Sequence, residues 1–529
     1  MRERKHLGGG FRCTSGSPGS ERGSDEHLSG GCGTMESPAS PPPQGTQTEL
    51  QLGTGYEVLD HSQRVITKTP GAGSSILNIL GDELYECDAK EYVLNNGYCG
   101  SSSGSVTTRE SNADETFLDE LQNIWHAKLI ECLKDTAKQF GLPLSRKRTI
   151  GEQELVKSRW FDLGSEEIEL LAVEPLYTPQ DFLDFLLSPA SNEDEICCAS
   201  GNTSPLAQAS VALKTKDICE LREMLKTPSY EAPKSHDLDS AEYELFAQLI
   251  YDTSDQLAAR EFLKRGCPHC MRRLFWARVL GISSAEKVNA EFDGLKERVI
   301  RYELLVDQII IKDVRDTVMN DIEYFVFDDS CYQVMLAFTR DYYVARRISN
   351  DSLGTVILRA DLPCGAVPYY GFSLLVSPLC FMYADVGIMY AVFREMYCRY
   401  FHKLMAISSD PQGIVSLLLT FERLVQYREP EFLPALASKN VNLQPIVFQM
   451  LMQSFCAHLP AEEVLRLWDR VLGYDSVYVL PVAAASLVCS KKTEILGTKD
   501  QSSLEDIFNK LKPCDVISTL DDFLKPPSL

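Results

Sequence analysis

The sequence predicts an all-α protein, and three observations carry that expectation. Apolar residues recur densely at helical spacing from Ser240 to about Cys489. The alternation of β-branched and polar residues that would mark strands is nearly absent. Breaks between the periodic runs fall at Gly141 with Pro143 and at Gly266 with Pro268, residues that stop one helix and start the next.

The first 50 of the 529 residues hold 22 Gly, Ser or Pro, including Pro41-Pro42-Pro43. Such a stretch buries too little apolar surface to offset its chain entropy, so residues 1–111 are expected to form a disordered tail and linker. Within them Met35 is a candidate second start, and the short apolar run Ile76-Leu77-Asn78-Ile79-Leu80 reads as helical. The run from Gly100 to Ser105 is a flexible linker. Order is expected from about 112. Leu118, Leu121, Trp125, Leu129, Cys132 and Phe140 follow one helical face, and further helical pieces run from Glu152 to Phe161 and from Pro179 to Leu187. These make a smaller helical N-terminal region over 112–245, with an acidic linker near 188–205 and a second break at 227–238. A main helical domain over 262–476 and a helical extension over 477–529 complete the organisation.

Composition excludes several functions. An apolar share of 44% with 24% charged residues is that of a soluble globular protein. The net charge of −23 argues against nucleic-acid binding, which requires a concentrated positive face. The 17 scattered cysteines and an opening without a secretory signal point to reduced thiols in a cytoplasmic protein. Two uncharged stretches, Gly365–Ala384 and Ser476–Ser490, are interrupted by prolines and are expected to be buried helices and not transmembrane spans.

The segment from Gly266 to Trp276 is the most informative. Arg272 and Trp276, four apart, share one helical face. Cys267-Pro268-His269-Cys270 has the form of a redox or metal site. A helix precedes it where a redox motif needs a strand, however, and no second C-x-x-C exists, so two cysteines at a helix start is the better reading. His126, His269 and His402 are separated and read as structural, and no metal or cofactor is expected. Arg146-Lys147-Arg148 is too short to count as an anion-binding patch and reads as a solvated turn.

Gly266, Pro268, Met271, Arg272 and Trp276 resemble the opening signature G-I-P-x-x-L-R-x-x-x-W of TBC domains. The run from Val464 to Leu472, with Trp468 and Asp469, resembles that family's late helix, and Phe432–Leu436 and Pro445–Phe448 fit helices between the two. The upstream run from Leu142 to Arg148 with Gly151-Glu152-Gln153 looks like the subgroup of the family's nineteenth human member. The resemblance implies a module that binds GTP-loaded Rab-type GTPases and is drawn to endomembranes only through that partner. It also implies two fingers for hydrolysis. An arginine in I-x-x-D-x-x-R neutralises charge on the γ-phosphate, an effect worth about 10³–10⁵ in rate, and a glutamine in Y-x-Q-G orients the attacking water.

Both fingers are replaced here. The first motif aligns as Ile310-Ile311-Lys312-Asp313-Val314-Arg315-Asp316, which puts a carboxylate at the arginine position. Arg315 stands one residue early, about 100° round a helix, and is either a displaced finger or a solvated arginine. The second aligns as Pro368-Tyr369-Tyr370-Gly371, where the Tyr370 phenol lacks the amide's paired donor and acceptor. Tyr370 either orients water or packs on the GTPase-facing surface. Arg340, Arg346 and Arg347 are alternative sources of a finger, or charged residues of a surface turn. The favoured reading is recognition of a Rab-type GTPase with little or no catalysis; the alternative is an active GTPase-activating protein using Arg315 or another arginine.

Overall fold

The computed structural model describes residues 113–163, 174–188, 204–207, 213, 215–227, 238–350, 361–509 and 515–525. The N-terminal tail, Met35, the run at 76–80 and most of both expected linkers lie outside them.

Helix α1 (Ala113–Phe140) buries Leu118, Leu121, Trp125, Leu129 and Leu133 on one stripe, the spacing its sequence dictates. Helix α2 (Ile150–Ser158) starts earlier than expected because Thr149 and Glu152 cap it reciprocally. Helix α3 (Pro179–Leu187) has the expected bounds, with Thr178 and Asp181 forming a second capping box. Between α1 and α2 the structure corrects the solvated turn. Ser145–Lys147 forms strand β1, antiparallel to β2 (Tyr302–Leu304). Arg146 pairs with Glu152 and Glu303, and Arg148 donates to the Val299 and Tyr302 carbonyls. These two three-residue strands are the exception to an otherwise helical fold among the described residues.

Further along come α4 (Ile218–Met224), α5 (Ala241–Asp252), α6 (Gln256–Leu263), α7 (His269–Leu280) and α8 (Ala285–Arg301). Of the apolar positions expected on α6, Phe262 and Leu263 are buried, while Leu257 is 71% exposed. Strand β2 runs directly into α9 (Leu305–Asp316), which packs on α10 (Asp328–Thr339). Helices α11 (Tyr342–Asn350), α12 (Val386–Arg399), α13 (Ile414–Arg428), α14 (Phe432–Ala437), α15 (Gln444–Met452) and α16 (Ala461–Tyr474) follow. The chain closes with α17 (Val479–Ser490), α18 (Lys492–Leu496), α19 (Gln501–Asn509) and α20 (Val516–Leu524).

The two uncharged stretches differ. Within Ser476–Ser490, α17 is a buried helix, as expected. Gly365–Ala384 is largely buried, with Phe381 and Ala384 exposed, but is not a regular helix. It is a loop followed by 3-10 turns at Ser373–Leu375 and Ser377–Phe381, because Pro368 disfavours helix before it and Gly371 takes a positive φ. No helix among the described residues is long and apolar enough to cross a membrane.

One apolar cluster runs from Leu118 to Phe523, so the N-terminal helices share their core with the rest. Phe182 of α3 meets Phe448 of α15 edge-on at 5.5 Å, and the Gln122 side chain of α1 accepts the Ile407 N–H at 2.7 Å.

Candidate GTPase-facing site

The opening signature and the late helix meet at a buried carboxylate. Asp469 Oδ2 accepts from Arg272 Nε at 3.0 Å and from the Cys267 N–H at 3.3 Å, and Oδ1 accepts from Trp276 Nε1 at 2.6 Å. The remaining guanidinium nitrogens reach both oxygens of Glu462 and the Cys267 carbonyl. Trp468 donates to Ser454. Burial works against the Arg272 charge, but Asp469 and Glu462 outweigh it and raise its pKa. Gly266 has φ +106°, and a Cβ there would lie 2.9 Å from Leu238. Gly266, Pro268, Arg272, Trp276, Trp468 and Asp469 thus form a structural brace between α7 and α16.

The second cluster is where α9 ends. Asp313 is buried, and its two oxygens accept from the Gly371 N–H at 2.6 Å and the Ser373 N–H at 2.8 Å. That carboxylate ties α9 to the 369–373 loop. Gly371 sits at φ +93°, where a Cβ would fall 2.0 Å from Gln453 Nε2, so a larger residue would force Gln453 out. Gln453 donates to the Tyr370 carbonyl at 3.3 Å, and the Tyr369 hydroxyl donates to the Met452 carbonyl at 3.1 Å. The Tyr370 N–H donates to the Tyr177 carbonyl at 3.0 Å. Tyr370 is half-buried; burial, then the negative charges of Asp316 and Asp313, raise its phenol pKa. Asp316 pairs with Lys312 one turn back.

Arg315 takes another direction. Its positive charge acts on the Tyr332 phenol of α10 and lowers that pKa, but burial outweighs it and pushes the phenol up to about 12. One residue's rotation therefore separates Asp316, on the Tyr370 side, from Arg315, on the α10 side.

Burial lifts Asp313 from the ordinary 3.8 to about 6, against the pull of its hydrogen bonds. The folded chain thus takes up this proton before the unfolded chain. Its contribution to stability therefore rises as pH falls from about 6 towards 3.8, while the protonated acid holds its two N–H donors less well. Amide exchange at Gly371 and Ser373, corrected for intrinsic rate, is expected to speed up below about pH 6 without a matching fall in Tm. Asp313→Asn turns an amide N–H₂ towards one donor and is expected to cost about 1–3 kcal/mol in urea unfolding.

The other candidates are corrected in part. Arg340 is neither a surface residue nor within reach of a partner. It is 3% exposed, forks onto both oxygens of Asp307, and donates to the Tyr302 carbonyl at 2.9 Å. Arg346 and Arg347 are exposed on α11, and Arg347 lines a groove with Lys287, Arg298 and Tyr343. His126 and His402 are not separated but line one cavity of about 100 Å³ with Trp125 and Tyr177. No carboxylate lines it, and among the described residues no group of side chains could hold a metal ion. Cys267 is a buried thiol whose pKa burial raises, and Cys270 is exposed beside Glu244, so the pair lacks the depressed pKa of a redox site.

Sequence reasoning missed Asp307, Glu462, Gln453 and Tyr177. An arginine directly after the buried run Val334–Thr339 was the available signal that Arg340 needed an internal anion. Nothing in the sequence pointed to Tyr177.

A buried brace thus joins the two ends of the helical domain, and a buried carboxylate links α9 to a tight loop. The matching family model, described as the Rab-GTPase-TBC domain, covers residues 269–496. The chain belongs to this RabGAP-TBC family. It is 33% identical over 431 residues to human TBC1 domain family member 19, a match spanning 77% of this chain and 82% of that protein. Among solved structures it is similar to the Chlamydomonas flagellar RabGAP TBC domain, with a TM-score of 0.40 and 15% identity over 54% of this chain and 90% of that one. The Ypt/Rab-GAP domain of Gyp1p also has a TM-score of 0.40, with 12% identity over 53% and 95% of the two chains.

Proposed function

We propose that this chain docks a GTP-loaded Rab-type GTPase on the surface formed by the end of α9 and the 369–373 loop, and does little or nothing to speed hydrolysis of the bound GTP. The observation that carries this reading is Asp316. The motif resemblance sets Asp316 at the family's arginine position, and this part-exposed carboxylate is near enough to Tyr370 to raise its phenol pKa. A carboxylate would oppose the charge that grows on the γ-phosphate oxygens, and the Tyr370 phenol, although its one hydroxyl can donate and accept, lacks the amide's paired carbonyl and amino groups. Asp313, Gly371 and the Arg272–Asp469 brace keep the domain's geometry although the finger chemistry is gone. Any membrane association would be peripheral, through the GTPase.

An active GTPase-activating protein is the second reading. It requires Arg315, or another arginine such as the exposed Arg346 or Arg347, to turn towards the nucleotide.

Binding is tested first, with the full chain and a panel of Rab GTPases loaded with GDP or with a non-hydrolysable GTP analogue. At least one member is expected to bind more tightly in the triphosphate state. Equal binding in both states, or none across the panel, would remove the proposed partner.

A further inference from the structure

Both elements of the proposed docking surface are held from outside the family-matched segment 269–496, by residues of the N-terminal helical region. Strand β1 pairs with β2, the strand that leads into α9, and the Leu305 N–H at the start of α9 donates to the Leu144 carbonyl at 2.9 Å. The second hold is at the loop. Tyr370 donates its N–H to the Tyr177 carbonyl, and the Tyr177 ring lies 5.8 Å from the Tyr369 ring. Tyr177 is 4% exposed. It is fixed from behind by Trp125 of α1, edge-on at 5.4 Å, and by Phe182 of α3 at 6.4 Å.

We infer that the N-terminal helical region is a working part of the GTPase-facing site, with Tyr177 as the positioning residue that fixes the 369–371 loop. The inference rests on the docking role proposed above. A loop with a positive-φ glycine at its tip has several backbone states of similar energy. Here the Asp313 carboxylate holds the loop on the α9 side and Tyr177 holds it on the other. Truncating the Tyr177 side chain removes the ring packed against Tyr369 and loosens the backbone carbonyl that accepts from Tyr370, so the loop keeps its ties to Asp313, Gln453 and Met452 but loses the support behind them. The partner then meets an ensemble of loop states, and apparent affinity falls by the fraction of molecules in the competent one. The same arrangement makes the loop responsive to anything that shifts α1 or α3, because Trp125 and Phe182 transmit such a shift through Tyr177.

The test compares Tyr177→Ala, Tyr177→Phe and Tyr177→Leu in the full chain, by hydrogen–deuterium exchange and by GTPase binding. Tyr177→Phe keeps the ring and should behave as wild type. Tyr177→Ala should raise exchange of the 369–373 amides about tenfold, the factor expected for a lost aromatic pair and a slackened hydrogen bond. Exchange in α17 should not change. GTPase affinity should fall by about the same factor. Tyr177→Leu, which fills most of the volume, should give a smaller rise in the same amides and serves if the alanine variant does not fold. Unchanged loop exchange in folded Tyr177→Ala or Tyr177→Leu would overturn the inference, as would equal effects of Tyr177→Phe and Tyr177→Ala. The exchange arm needs no partner, so a failure of GTPase binding across all variants would count against the docking role and leave the loop brace to be judged alone.

Discussion

Asp316→Arg together with Tyr370→Gln is expected to convert this chain into a stimulator of GTP hydrolysis on the GTPase it binds. The backbone for both changes is in place. Position 316 is the last residue of α9, where a cation is favoured by the helix dipole and arginine is a good helix former. The loss of the Lys312 pair costs little, about 0.2–0.5 kcal/mol, because both side chains are part-exposed. Tyr370 is half-buried, and its carbonyl and N–H are held by Gln453 and Tyr177 whatever the side chain. The new arginine should therefore reach the region that Asp316 occupies, and single-turnover hydrolysis should rise by about 10³, the lower end of an arginine finger's effect. Asp316→Arg alone should give most of the gain, and Arg315→Ala added to the pair should not remove it. A doubly substituted chain that binds the GTPase with unchanged hydrolysis would show that position 316 does not face the nucleotide.

The largest stability effect is expected at Asp469. Asp469→Ala removes the acceptor of Arg272 Nε, Trp276 Nε1 and the Cys267 N–H together. It leaves a guanidinium that is almost wholly buried with only the part-exposed Glu462 as anion. Breaking one partner of a buried ion pair costs about 3–5 kcal/mol, a large share of a domain's total stability. Asp469→Asn keeps two acceptor lone pairs and should cost less, about 1–3 kcal/mol. Urea unfolding followed by tryptophan fluorescence reads both variants, because Trp276 and Trp468 flank the site. A loss below about 1 kcal/mol for Asp469→Ala would mean that Arg272 finds another anion, and the brace would lose its structural role.

The fold class was legible because helical periodicity and helix-stop residues are local properties. Helix α3 has the bounds read from Pro179 and Leu187, and the family resemblance rested on residues that the structure brings onto one carboxylate. The site was legible only as far as alignment reaches. Asp313, Asp316, Tyr370 and Gly371 could be placed in motifs, but their mutual geometry depends on contacts made far along the chain. The pairing of Arg340 with Asp307 spans 33 residues, and the hydrogen bond from Tyr370 to Tyr177 nearly 200. Periodicity carries no information at such distances, so Arg340 read as a surface residue and Tyr177 not at all. The Gly365–Ala384 stretch was misread for a related reason. An uncharged sequence reports burial, and burial alone does not distinguish a helix from a loop whose backbone is satisfied by Asp313 and Gln453.

The proposed assignment of Asp316 to the finger position is the basis of the whole functional account, and hydrolysis is its most direct measure. The full chain, at concentrations that saturate the best-binding Rab, is added to that GTPase preloaded with GTP, and single-turnover phosphate release is followed with and without it. Unchanged release rates for wild type and for Arg315→Ala are the predicted result. Dose-dependent acceleration by wild type that Arg315→Ala abolishes would contradict it and make Arg315 the finger.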